Sequence, residues 1–171
     1  NMFIKKLFIS FFLLFFAFSS IAEEKTLNDQ SNEISFFTGT FDYSDHGKRS
    51  TLFGFEHQNE NLNRDTFLGN LSPVTGLLIT ADNAGYLYTG VEAQYKLGSI
   101  NFTPSFTPGL YHEGNGKDLG HILEFKSELE FSFDFSTNSQ LGFSYNHISN
   151  ASLGDKNPGA NSYMFNFFKN F

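Results

Sequence analysis

Residues 123–135 read Leu-Glu-Phe-Lys-Ser-Glu-Leu-Glu-Phe-Ser-Phe-Asp-Phe. The odd positions, Leu123, Phe125, Ser127, Leu129, Phe131, Phe133 and Phe135, are almost all apolar, and the even ones, Glu124, Lys126, Glu128, Glu130, Ser132 and Asp134, are all polar. A period of two belongs to a β-strand, whose successive side chains point to opposite faces, whereas a helix repeats every 3.6 residues. Upstream, Leu87, Thr89, Val91, Ala93, Tyr95 and Leu97 alternate with Tyr88, Gly90, Glu92, Gln94 and Lys96. Phe102, Pro104, Phe106, Pro108 and Leu110 alternate in the same way with Thr103, Ser105, Thr107 and Gly109.

Extended over the chain, this reading predicts eight strands, at residues 33–43, 50–58, 66–80, 86–97, 101–111, 121–135, 140–150 and 162–171. The links are rich in Gly, Asn and Asp, as turns require. Short links at 81–85, 98–100 and 136–138 and longer ones at 59–65, 112–120 and 151–161 suggest one rim of tight turns and one of long loops, the pattern of an outer-membrane barrel. A soluble β-sandwich would also alternate. The barrel is favoured by an apolar face dominated by Phe and Tyr, by an export signal, and by a final strand in which Tyr163, Phe165, Phe167, Lys169 and Phe171 follow one another by twos. That ending resembles the C-terminal signal read by the outer-membrane insertion machinery, which is therefore an expected partner during biogenesis. The fold class expected is all-β, an eight-stranded antiparallel outer-membrane barrel. A barrel this narrow is filled by side chains, so a pore is not expected.

The 171 residues include no Cys and no Trp, but 24 Phe and 7 Tyr, and carry a formal charge of −7. The lack of Cys removes disulfide frameworks and thiolate metal sites. The acidic balance argues against nucleic acid as a partner, since that needs clustered basic charge. Residues 2–22 hold Lys5 and Lys6, an apolar run over 7–18, then Ser20 and Ala22 at the −3 and −1 positions of a cut. Residues 1–22 therefore read as a secretory signal peptide, the run of about 12 apolar residues being shorter than the roughly 20 that a spanning helix needs. Residues 23–171, with 9 basic against 18 acidic side chains, would form the barrel domain.

The chemistry-bearing residues lie in the seventh run. Phe143, Tyr145, His147 and Ser149 share one face, which the aromatics mark as lipid-facing. Residues i and i+2 of a strand are about 6.5–7 Å apart at Cα, within reach of an imidazole and a hydroxyl, a base and nucleophile arrangement. Both residues would equally suit the polar rim where a strand leaves the membrane. His147-Ile148-Ser149-Asn150-Ala151-Ser152-Leu153-Gly154, followed by Asn157-Pro158-Gly159, resembles the signature of the lipid A 3-O-deacylase family, PagL. The similarity extends more weakly to Leu71-Ser72-Pro73 and the stretch 86–91.

The resemblance implies an outer-membrane serine esterase that removes the ester-linked acyl chain at position 3 of lipid A, with lipopolysaccharide of the outer leaflet as its substrate. It implies Ser149 as nucleophile, His147 as general base and then acid, and an oxyanion donor at Asn150 or the backbone N–H groups of 150–152. The family's third member is a glutamate where this chain has Asn161. An amide oxygen can orient an imidazole but lacks the charge that stabilises imidazolium. A slower Ser-His-Asn enzyme and an inactive relative are both compatible with that change, and Asp155 in the adjacent loop is the alternative carboxylate. No cofactor or metal is expected, and a homodimer is compatible with this reading. His46, His57, His112 and His121 are scattered without metal-ligand spacing. Glu124, Glu128, Glu130 and Asp134 with Lys126 are expected to form a paired polar interior. The competing functions are a structural or adhesive barrel without chemistry and a phospholipase using the same dyad.

Overall fold

The computed structural model describes residues 32–171 and the short strand Glu23–Glu24. The expected signal peptide lies outside the described residues. Eight strands form the wall: β1 (Glu33–Phe41), β2 (Ser50–Gln58), β3 (Gly69–Thr80), β4 (Gly85–Ala93, continued by Tyr95–Leu97), β5 (Ile100–His112), β6 (Leu123–Ser136), β7 (Ser139–Ser149) and β8 (Ala160–Asn170). Each pairs antiparallel with its sequence neighbour, and β8 pairs with β1 through Tyr163↔Thr40 to Asn170↔Glu33. That last pairing closes the sheet into a barrel. Closure matters because an open edge would leave a row of unpaired backbone N–H and C=O groups, which hydrocarbon cannot satisfy. Among the described residues no helix is long and apolar enough to cross a membrane.

The alternation read in the sequence decides which way each side chain points. Phe53, Phe55, Leu87, Val91, Phe131, Phe133, Phe143 and Phe165 stand exposed on the outside, Phe165 by 68%. A soluble protein rarely exposes so continuous an apolar surface. In a bilayer the same surface is the lipid contact. The interior differs from the expectation of a uniformly polar core. Towards one end it is apolar, with Phe41, Leu52, Leu78, Tyr86, Tyr111, Ile148 and Met164 packed together. Gly76 makes room for this filling, because a Cβ there would lie 2.4 Å from the Tyr88 ring.

Towards the other end the interior is polar. Lys126 Nζ lies 2.9 Å from Glu128 and 3.5 Å from Glu56, and 4.1 Å above the Tyr88 ring. Asn146 donates to Glu128, and Asn166 donates to Glu130 and Ser144. Two of the expected members are elsewhere. Glu124 is buried outside the Lys126 group, nearer the apolar end, and Asp134 is exposed close to the β6–β7 turn, where it accepts from Asn101.

The rims also differ from expectation. Links alternate ends with strand number, so 42–49, 81–84, 113–122 and 150–159 share one rim, and 59–68, 98–99 and 137–138 share the other. The short link at 81–84 therefore sits among the long loops. The long link after β2 sits among the tight turns, where it forms a single 3₁₀ turn (Glu60–Leu62) and a short strand (Arg64–Thr66) that pairs back on β3.

Candidate active site on the outer wall

The site forms where β7 and β8 leave the wall beneath the 42–49 and 150–159 loops. Antiparallel pairing sets His147 directly opposite Asn161, and Tyr145 opposite Tyr163. All four are on the outer face, as is Ser149. His147 Nδ1 lies 2.8 Å from Asn161 Oδ1, and the Tyr145 hydroxyl donates to the same oxygen at 2.8 Å. The barrel thus brings His147 and Asn161 into contact across 14 residues of sequence. Ser149 shares the face of His147 and is half-buried, with no hydrogen bond between the two among the described residues. Pairs of this kind are commonly loose in unliganded enzymes and tighten when substrate seats.

Behind Asn161 a second layer comes from the first loop. The amide Nδ2 of Asn161 donates to Ser44 Oγ (3.3 Å), and Ser44 donates to Asp42 Oδ1 (3.2 Å). The Asn161 N–H also reaches Asp42 Oδ1, and the Tyr43 N–H donates to the Asn161 carbonyl at 2.9 Å. Asp42 is 1% exposed and is held by Lys117 from the third long loop at 2.5 Å.

Gly159 flanks the imidazole in a left-handed conformation, φ +65°, and a Cβ there would stand 2.8 Å from His147 Cε1. Around the site Tyr43, Tyr145, Tyr163, Phe143 and Phe165 form an aromatic wall with centroid separations of 4.4–6.5 Å.

Two expected contributors are placed differently. The Asn150 side chain points into the barrel, is fully buried, and donates to the Leu119 and Lys156 carbonyls at 2.8 Å each, so it has no proton left for an oxyanion. Its parity, one residue past Ser149, is the reason. Its N–H donates to Asn157, and its Oδ1 accepts from the Ser152 N–H, which leaves the Ala151 N–H without an acceptor among the described residues. Ala151 and Ser152 are both left-handed, φ +53° and +68°, a costly conformation for residues with a Cβ. Asp155 is exposed in the loop, and Asn161 occupies the Nδ1 side of the imidazole where that carboxylate would have to act.

Sequence reasoning gave no role to Tyr145, Asp42, Ser44, Lys117 or Gly159. Tyr145 carried a signal by standing two residues before His147 on the same face, and Gly159 by closing the Asn157-Pro158-Gly159 stretch. A groove of about 580 Å³ opens beside the site among the loops, lined by Asp45, Lys48, Glu113, Lys117, Asp118 and Lys156. Lys156 pairs with Asp118 and, with the Gly120 N–H, holds that carboxyl below the usual carboxylate range.

A closed eight-stranded barrel with an aromatic, lipid-facing exterior is an outer-membrane β-barrel. Its structure is similar to the crystal structure of the outer membrane enzyme PagL, with a TM-score of 0.60 and 18% identity over 80% of this chain and 98% of that one. It is also similar to a de novo designed transmembrane β-barrel, with a TM-score of 0.57 and 9% identity over 87% and 100%. A search of the curated proteins finds no match. The family model of lipid A 3-O-deacylase (PagL) matches residues 33–170, the whole barrel, and the chain belongs to that family.

Proposed function

We propose that this protein hydrolyses the 3-O-linked acyl ester of lipid A by a serine mechanism on the outer wall of its barrel. The observation that carries the reading is the pairing of His147 Nδ1 with Asn161 Oδ1 on the face that also bears Ser149, beside an aromatic surface suited to acyl chains. His147 Nε2 takes the Ser149 proton as Oγ attacks the ester carbonyl. The tetrahedral oxyanion is held by the Ala151 N–H, a contact worth about 3–4 kcal/mol when well aligned. Collapse breaks the bond to the sugar oxygen, which leaves with the proton from His147. Water, deprotonated by the same imidazole, then releases the fatty acid and restores Ser149.

A site on the wall suits a lipid substrate, because the acyl chain stays in the leaflet while its ester reaches the depth of the strand ends. In the same reading residues 1–22 direct export and the aromatic β8 directs insertion.

Mass spectrometry of lipid A from cells making the protein tests the proposal. Loss of one hydroxyacyl unit is expected, and Ser149→Ala is expected to abolish it, a fall of about 10⁴-fold or more, with the barrel still folded. Unchanged lipid A with the folded wild type in the membrane would overturn it, and release of fatty acid from phospholipid instead would identify a phospholipase.

A further inference from the structure

We propose that Asp42, acting through Ser44, fixes the orientation of the Asn161 amide and thereby the tautomer of His147. The inference rests on the deacylase reading only for its effect on rate.

Asp42 is a carboxylate buried against Lys117, and a carboxylate only accepts. The single proton of Ser44 is therefore directed to Asp42 Oδ1, at 3.2 Å. The Ser44 oxygen is left to accept, so the group that Asn161 turns towards it, at 3.3 Å, is the NH₂. The amide oxygen then faces the wall, where the Tyr145 hydroxyl donates to it at 2.8 Å. The remaining neighbour of that oxygen, His147 Nδ1 at 2.8 Å, has to be the protonated nitrogen. In a neutral imidazole this leaves the lone pair on Nε2, the atom that takes a proton from a nucleophile.

An asparagine needs this help where a glutamate does not. A glutamate accepts through either oxygen and imposes Nδ1–H by itself. An amide can turn over, present NH₂ to Nδ1 and select the opposite tautomer. Asp42 and Ser44 remove that choice, and Asp42 also accepts from the Asn161 N–H, so the same carboxylate holds the backbone at the start of β8. Asp42 and Ser44 are positioning residues, separated from the imidazole by one amide.

The test is ¹⁵N NMR of histidine-labelled barrel refolded in micelles at neutral pH, with His147 assigned by its loss in His147→Gln. The wild type is expected to show Nδ1–H. Ser44→Ala, a change at an exposed side chain, is expected to give a mixture of tautomers and to lower kcat on lipid A about tenfold with KM unchanged. Ser44→Thr keeps the hydroxyl and restores both. Asp42→Asn is expected to match Ser44→Ala in whatever fraction folds.

In an Asn161→Glu background the Ser44→Ala loss is expected to shrink below twofold, which a merely structural role for Ser44 would not produce. An unchanged tautomer in Ser44→Ala, or an equal loss in both backgrounds, would overturn the inference. A tautomer shift in Ser44→Ala, with lipid A left intact by the wild type, would overturn the deacylase reading and uphold this one.

Discussion

Asn146 and His147 are adjacent in sequence, and each sits in a polar network, yet the two networks have opposite characters. Asn146 points into the barrel and donates to Glu128, which Lys126 also holds, in a space sealed by the wall. His147 points into the membrane side and, among the described residues, is hydrogen-bonded through Nδ1 alone, with its other edge beside Gly159 and its face shared with Ser149. The interior network is enclosed and out of reach of any lipid, with the Asn146 amide oxygen left without a hydrogen-bond partner among the described residues, and its work is to fill the barrel. The outer network is anchored from behind and open in front. Polar residues on one strand acquire their roles from parity, and a register slip of one residue would exchange them.

The comparison breaks most severely on the interior side. Lys126→Met leaves the buried Glu128 and the partly buried Glu56 without their cation, a loss expected to cost roughly 3–5 kcal/mol. Urea unfolding of the refolded barrel would show it, while the folded fraction should deacylate lipid A at the wild-type rate. A fall in activity per folded molecule would mean that the two networks are coupled.

A sharper contrast uses two glycines of the same backbone conformation. Gly159 and Gly98 have φ of +65° and +66°, but a Cβ at Gly98 meets nothing within 4 Å, whereas at Gly159 it meets the imidazole. Alanine at either position is expected to cost about 1–2 kcal/mol of stability for the left-handed strain. Only Gly159→Ala is expected to lower kcat as well, which lipid A turnover by the two variants at equal folded concentration would reveal.

The smallest effect expected is at the third member of the site. Asn161→Glu replaces a neutral acceptor with a charged one, and charge-assisted hydrogen bonds are about twice as strong, so deacylation is expected to rise about tenfold. The rate is measured by mass spectrometry of the released fatty acid. A fall would show that the surroundings built for the amide, the Ser44 oxygen above all, reject a carboxylate.

Much of the barrel is legible in the chain because membrane strands alternate strictly, and residues 123–135 suffice to recognise the period. The boundaries of β2 match residue for residue, and the other strands shift by at most three residues. The sorting of loops between rims was not legible from link length. The rim is set by counting strands, and the 59–68 link is lengthened by its own turn and short strand. The interior was only half legible, because Tyr86, Tyr88 and Tyr111 alternate with apolar residues just as charged side chains do, and composition does not say that they pack against Leu52, Leu78 and Met164.

For the site, parity placed His147 and Ser149 on one face, but it also put Asn150 on the opposite one. Asp42 and Ser44 lie more than a hundred residues from Asn161. No local spacing connects them.

The strands, the lipid-facing side and the family resemblance can all be read from the chain, because each rests on nearest-neighbour alternation or on a continuous motif. The tertiary structure alone decided what stands behind Asn161. Only the pairing of the last strand with the first brings the 42–49 loop over the end of β8, and the direction of a hydrogen-bond chain is defined once all of its members are in place.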